Sequence, residues 1–291
     1  MDVITSTKNP AVRKVSSLLT SSRERRREGL FVVEGPRMAG EIPFAYLRGL
    51  YMTEDFAAGA GGRDLLEKAS AAESIVMEGS AKRAGEKADA AGQTGFENAG
   101  VSVTFVSDEV MRHMSGTEHP QGVLALVDIG AVRREPLSGY PAIFLEDIQD
   151  PGNLGTIIRT AEAAGISAVY MSSGCADILS PKVVRSTMGC LFRVPLIRLD
   201  GEEFYEEIKR QQEQGVRFVA AALGGTRAYD EISYDEKTAF LVGNEGNGLS
   251  ARAIASADEK TIIPMEGHVE SLNAAVAASI LMFEATRQRR V

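Results

Sequence analysis

Residues 239–288, AFLVGNEGNGLSARAIASADEKTIIPMEGHVESLNAAVAASILMFEATRQ, constrain this chain more than any other stretch. The apolar run Ala239–Val242 reads as a buried strand that passes directly into the glycine-rich turn GNEGNG, 243–248. A second short strand over Thr261–Ile263 is stopped by Pro264, and a loop then leads into a long helix of good helix formers. Two strand ends and one helix start are expected at a single edge. Gly243, Gly246 and Gly248 are expected to permit positive φ and close approach of backbone to a ligand. Ser271 stands where the N-cap of the last helix is expected. Such an edge makes a small-molecule pocket built largely from main chain.

The pattern upstream gives that edge a sheet. From residue 142 onward it predicts strands over 142–146, 167–171, 194–198, 216–222, 239–243 and 260–263, interleaved with helices over 153–164, 181–189, 201–214, 249–256 and 271–288. This alternation predicts an α/β fold, a mostly parallel sheet covered by helices on both faces. Ligands of such sheets bind outside the carboxyl ends of the strands. The segment AVRREPLSGYP, 131–141, reads as a linker. Before it, residues 1–130 read as a small α/β domain: one helix through 1–30, a strand at 30–34, helix-like material around 36–48, and strands near 49–53, 101–106 and within 116–129, with a helix near 108–114. Between residues 57 and 100 alanine and glycine blur the pattern, and GSAKRAGEKADAAGQTGFENAG, 79–100, is expected to be a mobile loop.

Several function classes fall away on composition. The chain of 291 residues is 44% hydrophobic and 25% charged, which is ordinary for a globular protein with more than one domain. No apolar run approaches the roughly 20 residues of a membrane span, and MDVITSTKNPAVRKV lacks the apolar centre of a signal peptide, so a cytoplasmic protein without a membrane role is expected. Cys175 and Cys190 have no paired spacing, and His113, His119 and His268 form no spaced ligand set, so no metal is expected. A net charge of -8 argues against holding nucleic acid by overall electrostatics. Yet Lys8, Arg13, Lys14, Arg23, Arg25, Arg26, Arg27 and Arg37 face only Glu24, Glu28 and Glu34 within residues 8–37. This arm is either a solvated helix face or a set of phosphate contacts.

Three constellations carry chemistry. In PGNLGTIIRTAEAAG, 151–165, helical periodicity puts Leu154, Ile157, Ile158, Ala161 and Ala164 on one stripe and Arg159 opposite it, with Asn153 near the helix start and Gly165 as the stop. Arg159 is then either an ordinary surface cation or one placed beside a strand-end crevice. The turn that contains Glu245 is spaced G-x-x-G-x-G, which is not the dinucleotide fingerprint. In IPMEGHVESLNAAVAASI, 263–280, Ser271 and Asn273 stand at the mouth of the last helix, whose unpaired amides suit an oxygen-rich ligand. That helix carries one stripe of Leu272, Val276, Ile280 and Phe283, and an opposite face of Ala274, Ala277, Ala278, Leu281 and Ala285 that suits either sheet packing or a subunit interface.

In this order and spacing the three motifs resemble those of the SpoU-type (TrmH-like) RNA ribose 2′-O-methyltransferases, in the ribosomal-RNA-modifying branch with an N-terminal substrate-binding domain. The resemblance covers 142–288, and more loosely 1–125. It implies a SPOUT-like catalytic domain over 142–291, whose C-terminal segment is threaded into a deep trefoil knot, preceded by a small α/β RNA-binding domain. It implies S-adenosylmethionine as methyl donor and S-adenosylhomocysteine as product. Gly243, Ile263 and Leu272 would hold the donor through backbone groups, with Glu245 and Met265 shaping the pocket. Arg159 would be the essential arginine, with Asn153, Ser271 and Asn273 orienting it and the ribose. The partners implied are RNA, of the 23S ribosomal type, and a second copy of the chain joined through the alanine-faced last helix. Given an RNA substrate, Lys8, Arg13, Lys14, Arg25, Arg26 and Arg27 become phosphate contacts. A transfer-RNA methyltransferase and a non-catalytic RNA-binding assembly factor fit the same layout. A dinucleotide oxidoreductase lacks its fingerprint.

Overall fold

Apolar runs that form strands must be covered on both faces, and the computed structural model, which describes residues 2–70, 101–137 and 141–290, sorts them into two sheets. The chain divides into two compact units, Met1–Ala131 and Val132–Val291.

The first unit runs α1 (Pro10–Thr20), α2 (Ser22–Glu28), β1 (Leu30–Glu34), α3 (Pro36–Gly40), β2 (Leu47–Met52), α4 (Glu54–Ala58), α5 (60–70), β3 (Ser102–Phe105), α6 (Asp108–Met114) and β4 (Val123–Asp128). Its sheet has the order β1-β4-β2-β3, with β4 antiparallel to both neighbours and β2 parallel to β3. Val12, Val15 and Leu18 of α1 share a core with Val110, Met111 and Met114 of α6.

Here the expected single helix over 1–30 is two. The chain breaks at Ser21 (φ -122, ψ 114), whose hydroxyl accepts from Glu24 N at 3.2 Å and starts α2. Arg25 folds back, and its Nη1 donates to Leu18 O at 2.6 Å. The orphan carbonyls that end α1 thereby find a partner. Residues 60–70, expected within a blurred segment, are helical, with Leu65 and Ala69 buried. The loop expected over 79–100 lies outside the described residues.

The second unit runs β5 (Ala142–Leu145), α7 (Pro151–Ala164), β6 (Val169–Ser172), α8 (Pro181–Thr187), β7 (Leu196–Leu199), α9 (Glu203–Glu213), β8 (Arg217–Ala221), β9 (Arg227–Ala228), β10 (Thr238–Val242), α10 (Ala251–Ala255), β11 (Glu259–Ile262) and α11 (Ala274–Arg289). The sheet order is β7-β6-β5-β10-β8-β11-β9, and every pairing is parallel. The chain first builds outward from β5 through β6 to β7, then returns to the other side. There β10 enters between β5 and β8 after both are in place, β11 follows between β8 and β9, and all five residues of β10 are buried. Strand β9, only two residues long, carries no periodicity from which it could be expected. Part of the segment read as a linker is tied to this unit, since Arg133 O accepts from Leu196 N at 2.8 Å and Leu137 N donates to Ser167 O at 3.0 Å.

Aromatic packing fixes the centre of the sheet. Phe144 stacks on Tyr170 at 4.2 Å and meets Phe218 and Phe204 edge-on at 5.0 and 5.7 Å. Helix α11 lies against α7 and β10 of its own unit. Its alanine face is turned inward, with Ala274, Ala278, Leu281 and Ala285 all buried. Thr286 Oγ1 and Arg289 Nη2 both donate to Ala164 O, at 2.8 and 2.9 Å, beside the left-handed cap Gly165. Those four positions are therefore sheet and helix packing within the unit, while Ala277 of the same face is half-buried. The opposite stripe is the one left open, with Val276 47% and Phe283 48% exposed. Since Phe144 is fully buried among aromatic neighbours, Phe144→Ala should lower the stability of this unit by about 3–5 kcal/mol in urea denaturation.

Candidate active site

The carboxyl ends of β8, β10 and β11 and the loop before α11 enclose a cavity of about 590 Å³. Ligand clefts usually measure about 300–1,000 Å³. Its wall is the turn from Gly243 to Leu249, the segment Ile262–Met265 and the residues Ser271 and Leu272, closed by the loop Ala221–Gly225. Gly243, Glu245, Ile263, Met265, Leu272 and Ser271 thus meet in one place, while Asn153, Arg159 and Asn273 do not line it. The loop after β8 had no motif to announce it. Its Leu223 is 79% exposed at the rim.

The glycine-rich turn has a narrower logic than its composition suggests. Asn244 and Gly248 exchange both backbone hydrogen bonds, at 3.0 and 2.9 Å. This closes the turn so tightly that a Cβ on Gly243 would fall 2.3 Å from Gly248 C and Leu249 N. Gly248 needs its glycine for another reason, φ +67. Gly246 shows neither constraint, so the expectation of positive φ holds for Gly248 alone of the three. The Asn244 side chain completes the turn: Oδ1 accepts from Gly246 N and Asn247 N at 2.8 and 3.1 Å, and Nδ2 donates to Asp147 O at 2.9 Å.

Two further asparagines join the three motifs. The N-cap of α11 is Asn273, not Ser271: its Oδ1 accepts from Ala275 N and Val276 N at 2.9 and 3.3 Å. Ser271 lies two positions too early to reach those amides and is exposed at the cavity instead. Asn273 Nδ2 donates to Asn153 Oδ1 at 2.9 Å, and Asn153 Nδ2 donates to Glu245 Oε1 at 2.9 Å. Glu245 also accepts from the backbone N–H groups of Asp150 and Gln149, at 3.3 and 3.4 Å. Burial works against its charge, but the donors from Asn153 and the backbone outweigh it and hold the carboxyl below its ordinary value. Asp150, in turn, is the N-cap of α7, accepting from Asn153 N at 2.8 Å.

Arg159 is exposed on α7, and its side chain has no hydrogen bond or ion pair among the described residues. The residues of the basic arm separate into distinct groups. Arg25 is only 4% exposed and is committed to the end of α1, so it is not available as a phosphate contact. Lys14 pairs with Glu28 at 2.9 Å, and Arg27 with Glu24 and Glu28 at 2.5 and 3.0 Å. Lys8, Arg13 and Arg26 are exposed, with no carboxylate partner among the described residues. Sequence reading also missed Glu146, a buried carboxylate closing β5. Its only signal was an acidic residue directly after an apolar strand.

A sequence profile of the SpoU rRNA Methylase family matches residues 141–283, and one of the MRM3-like substrate binding domain matches 9–125. The chain is 37% identical, over 63% of its own length and 72% of the relative's, to the 23S rRNA (guanosine(2553)-2'-O)-methyltransferase RlmP of Bacillus subtilis. The chain belongs to the SpoU rRNA methylase family. Among its SpoU relatives is the 23S rRNA (uridine(2479)-2'-O)-methyltransferase of Streptomyces viridochromogenes, 32% identical over 64% of this chain and 67% of that one. The AdoMet-bound rRNA methyltransferase of Sinorhizobium meliloti shares the fold, with a TM-score of 0.77 and 28% identity over 98% of this chain and 97% of that one. Among the described residues, no group of three or more His, Cys, Asp or Glu could hold a metal ion.

In this SpoU methylase the lowered pKa of Glu245 makes a stabilising contribution that is present above the ordinary carboxyl value of 4.5 and lost as pH falls through the lowered one. Asn153→Ala should raise the Glu245 pKa towards 4.5, shifting that loss to higher pH. An NMR titration of the Glu245 carboxyl reads the change, and an unmoved titration would assign the shift to the backbone donors instead.

Proposed function

We propose that this SAM-dependent RNA 2′-O-methyltransferase acts on a ribose of large-subunit ribosomal RNA and releases S-adenosylhomocysteine. One observation carries the reading. Residues of the second and third motifs enclose a single main-chain-walled cavity, and Asn153 of the first motif is hydrogen-bonded to its wall through Glu245. The cavity suits the donor: its size is that of a ligand cleft, and apolar Leu249, Ile254, Ile262 and Leu272 stand beside the backbone groups of Gly243 and Ile263. Gly243, Ile263 and Leu272 are proposed to hold the donor, with Glu245 and Met265 shaping the site. S-adenosylmethionine supplies an electrophilic sulfonium methyl that requires in-line attack.

The chain's own task is to align a poor nucleophile and to stabilise an oxygen losing its proton. A guanidinium with a pKa above about 12 is a poor base at neutral pH. Arg159 is therefore proposed to stabilise the developing alkoxide, with the proton leaving to a substrate phosphate or water. Asn153 and Asn273 each commit one side-chain N–H to the chain of hydrogen bonds, which leaves a second N–H on each amide for orienting the ribose. Ser271 brings a hydroxyl to the cavity itself.

Because Arg159 does not line the cavity of its own chain, a second copy is proposed to complete the site. The exposed Val276 and Phe283 stripe supports a contact through α11, with the alanine face kept inside. The entry of β10 and α11 late in the chain, deep in the unit, supports threading of this segment as the trefoil knot of the family. The substrate reading favours ribosomal over transfer RNA because the relatives from Bacillus subtilis and Streptomyces viridochromogenes bear 23S rRNA names. A cytoplasmic setting accords with that substrate; among the described residues no helix is long and apolar enough to cross a membrane. Residues 1–130 are proposed as the RNA-binding domain, with Lys8, Arg13, Lys14, Arg26 and Arg27 as its phosphate contacts.

Arg159→Ala should abolish methyl transfer to RNA while donor affinity in a calorimetric titration stays within about threefold, the pattern of a group that acts only in the transition state. Equal loss of both would remove Arg159 from that role. Mapping ribose methylations that vanish from total RNA when the gene is deleted identifies the nucleotide and tests the reaction itself. Reversing Arg13 and Arg26 to glutamate should weaken RNA binding and flatten its dependence on salt, whereas Arg25→Ala should lower the stability of the first unit. An unchanged salt slope would make the arm a solvated face.

A further inference from the structure

The glycine-rich turn is held at both ends by the residues that follow β5. At its start, Glu146 N donates to Val242 O at 2.9 Å and Asn244 Nδ2 to Asp147 O at 2.9 Å. At its end stands Ser250, the N-cap of α10, whose hydroxyl accepts from Ala253 N at 3.1 Å. Both donors of Ser250 are taken by one buried carboxylate. Ser250 N donates to Glu146 Oε2 at 2.7 Å, and Ser250 Oγ donates to Glu146 Oε1 at 2.7 Å. The hydroxyl of Tyr205 on α9 donates to the same Oε1 at 2.6 Å.

Glu146 is 7% exposed and does not line the cavity. A buried carboxylate without such donors would carry a large desolvation penalty, so the three donors and the carboxylate require one another. Tyr205 is itself held on the far side, its ring under the Arg252 guanidinium at 3.8 Å, and Arg252 is paired with Glu202 through two contacts of 2.7 and 2.5 Å. Burial first, and then the bond to Glu146, push the Tyr205 phenol up, so it remains a protonated donor at neutral pH.

We propose that Glu146 is a positioning residue for methyl transfer, one that sets the height of the Gly243–Leu249 wall by anchoring Ser250, and so governs the affinity of the site for S-adenosylmethionine. The inference rests on the reading of the cavity as the donor site. The essential requirement is the pair of hydrogen bonds between this side chain and Ser250: glutamine keeps both, its carbonyl accepting from Ser250 N and its amide donating to Ser250 Oγ, whereas alanine removes both.

Calorimetric titration of S-adenosylmethionine into the full-length protein tests it, alongside kcat and KM for methyl transfer and a melting curve for each variant. Glu146→Ala should raise the donor Kd at least tenfold and raise its KM in parallel, with kcat at saturating donor within about threefold. Glu146→Gln should restore the Kd to within about threefold of the native protein. Ser250→Ala, which keeps the backbone donor but loses the hydroxyl, should fall between them, and it decides the matter if Glu146→Ala does not fold. A native Kd in Glu146→Ala or, failing that variant, in Ser250→Ala overturns the proposal. So does a Glu146→Gln variant that loses kcat with its Kd intact, because the charge would then act on the reaction. If the native protein itself binds no S-adenosylmethionine, the cavity reading fails.

Discussion

The hydrogen-bonded sequence Asn273 to Asn153 to Glu245 is the interaction on which the candidate site depends. It joins the cap of α11, the first turn of α7 and the glycine-rich turn after β10, three segments far apart in the chain. Each asparagine uses its amide in both senses. Asn273 accepts from the helix it caps and donates to Asn153, and Asn153 accepts at one atom and donates at the other. An aspartate at either position would have no donor, and a serine would be too short to span the gap. Because Glu245 ends the sequence as an acceptor only, the direction of every hydrogen bond in it is set.

This direction of bonding depends on the sheet beneath. With β10 placed between β5 and β8, the turn after β5 and the turn after β10 emerge side by side. Glu146 N can then reach Val242 O, and Glu245 can accept from the turn amides of Gln149 and Asp150. Had the strands followed chain order across the sheet, β10 would not lie beside β5 and these bonds could not form. The late insertion of β10, which costs a long-range closure during folding, is also what builds the pocket wall.

Legibility in the sequence followed the range of the physical cause. The strands of the second unit other than β9, the cap Gly165 and the outward face of Arg159 rest on local periodicity and turn chemistry, and they were readable. The main-chain pocket of the last segment was readable from its strand ends and glycines, and its donor contacts through the family motifs, whereas the loop Ala221–Gly225 that closes it was not. What was missed depended on partners distant in the chain. Asn273 displaced Ser271 as cap because the helix begins at Ala274, later than its apolar pattern suggests, and the Asn273 amide bonds to the distant Asn153. Arg25 looked like its neighbours in a basic run, yet the carbonyls released at Ser21 drew it inside. The alanine face of α11 was open to two uses in the sequence, and in the fold it packs on α7.

The same distinction bears on the basic arm of an otherwise acidic chain. Its ion pairs are short, and Lys14, with Arg27 beside it, draws Glu28 below the ordinary carboxyl range, but the groups are solvent-exposed, where such pairs contribute little net stability. Exchanging a glutamate for a phosphate oxygen therefore releases one weak pair and forms another, and the gain comes from counterions freed on the RNA. Lys8, Arg13 and Arg26 require no such exchange among the described residues. The arm thus keeps a local excess of cations, eight against three glutamates over residues 8–37, that it can present to a polyanion, which reconciles a net charge of -8 with an RNA substrate.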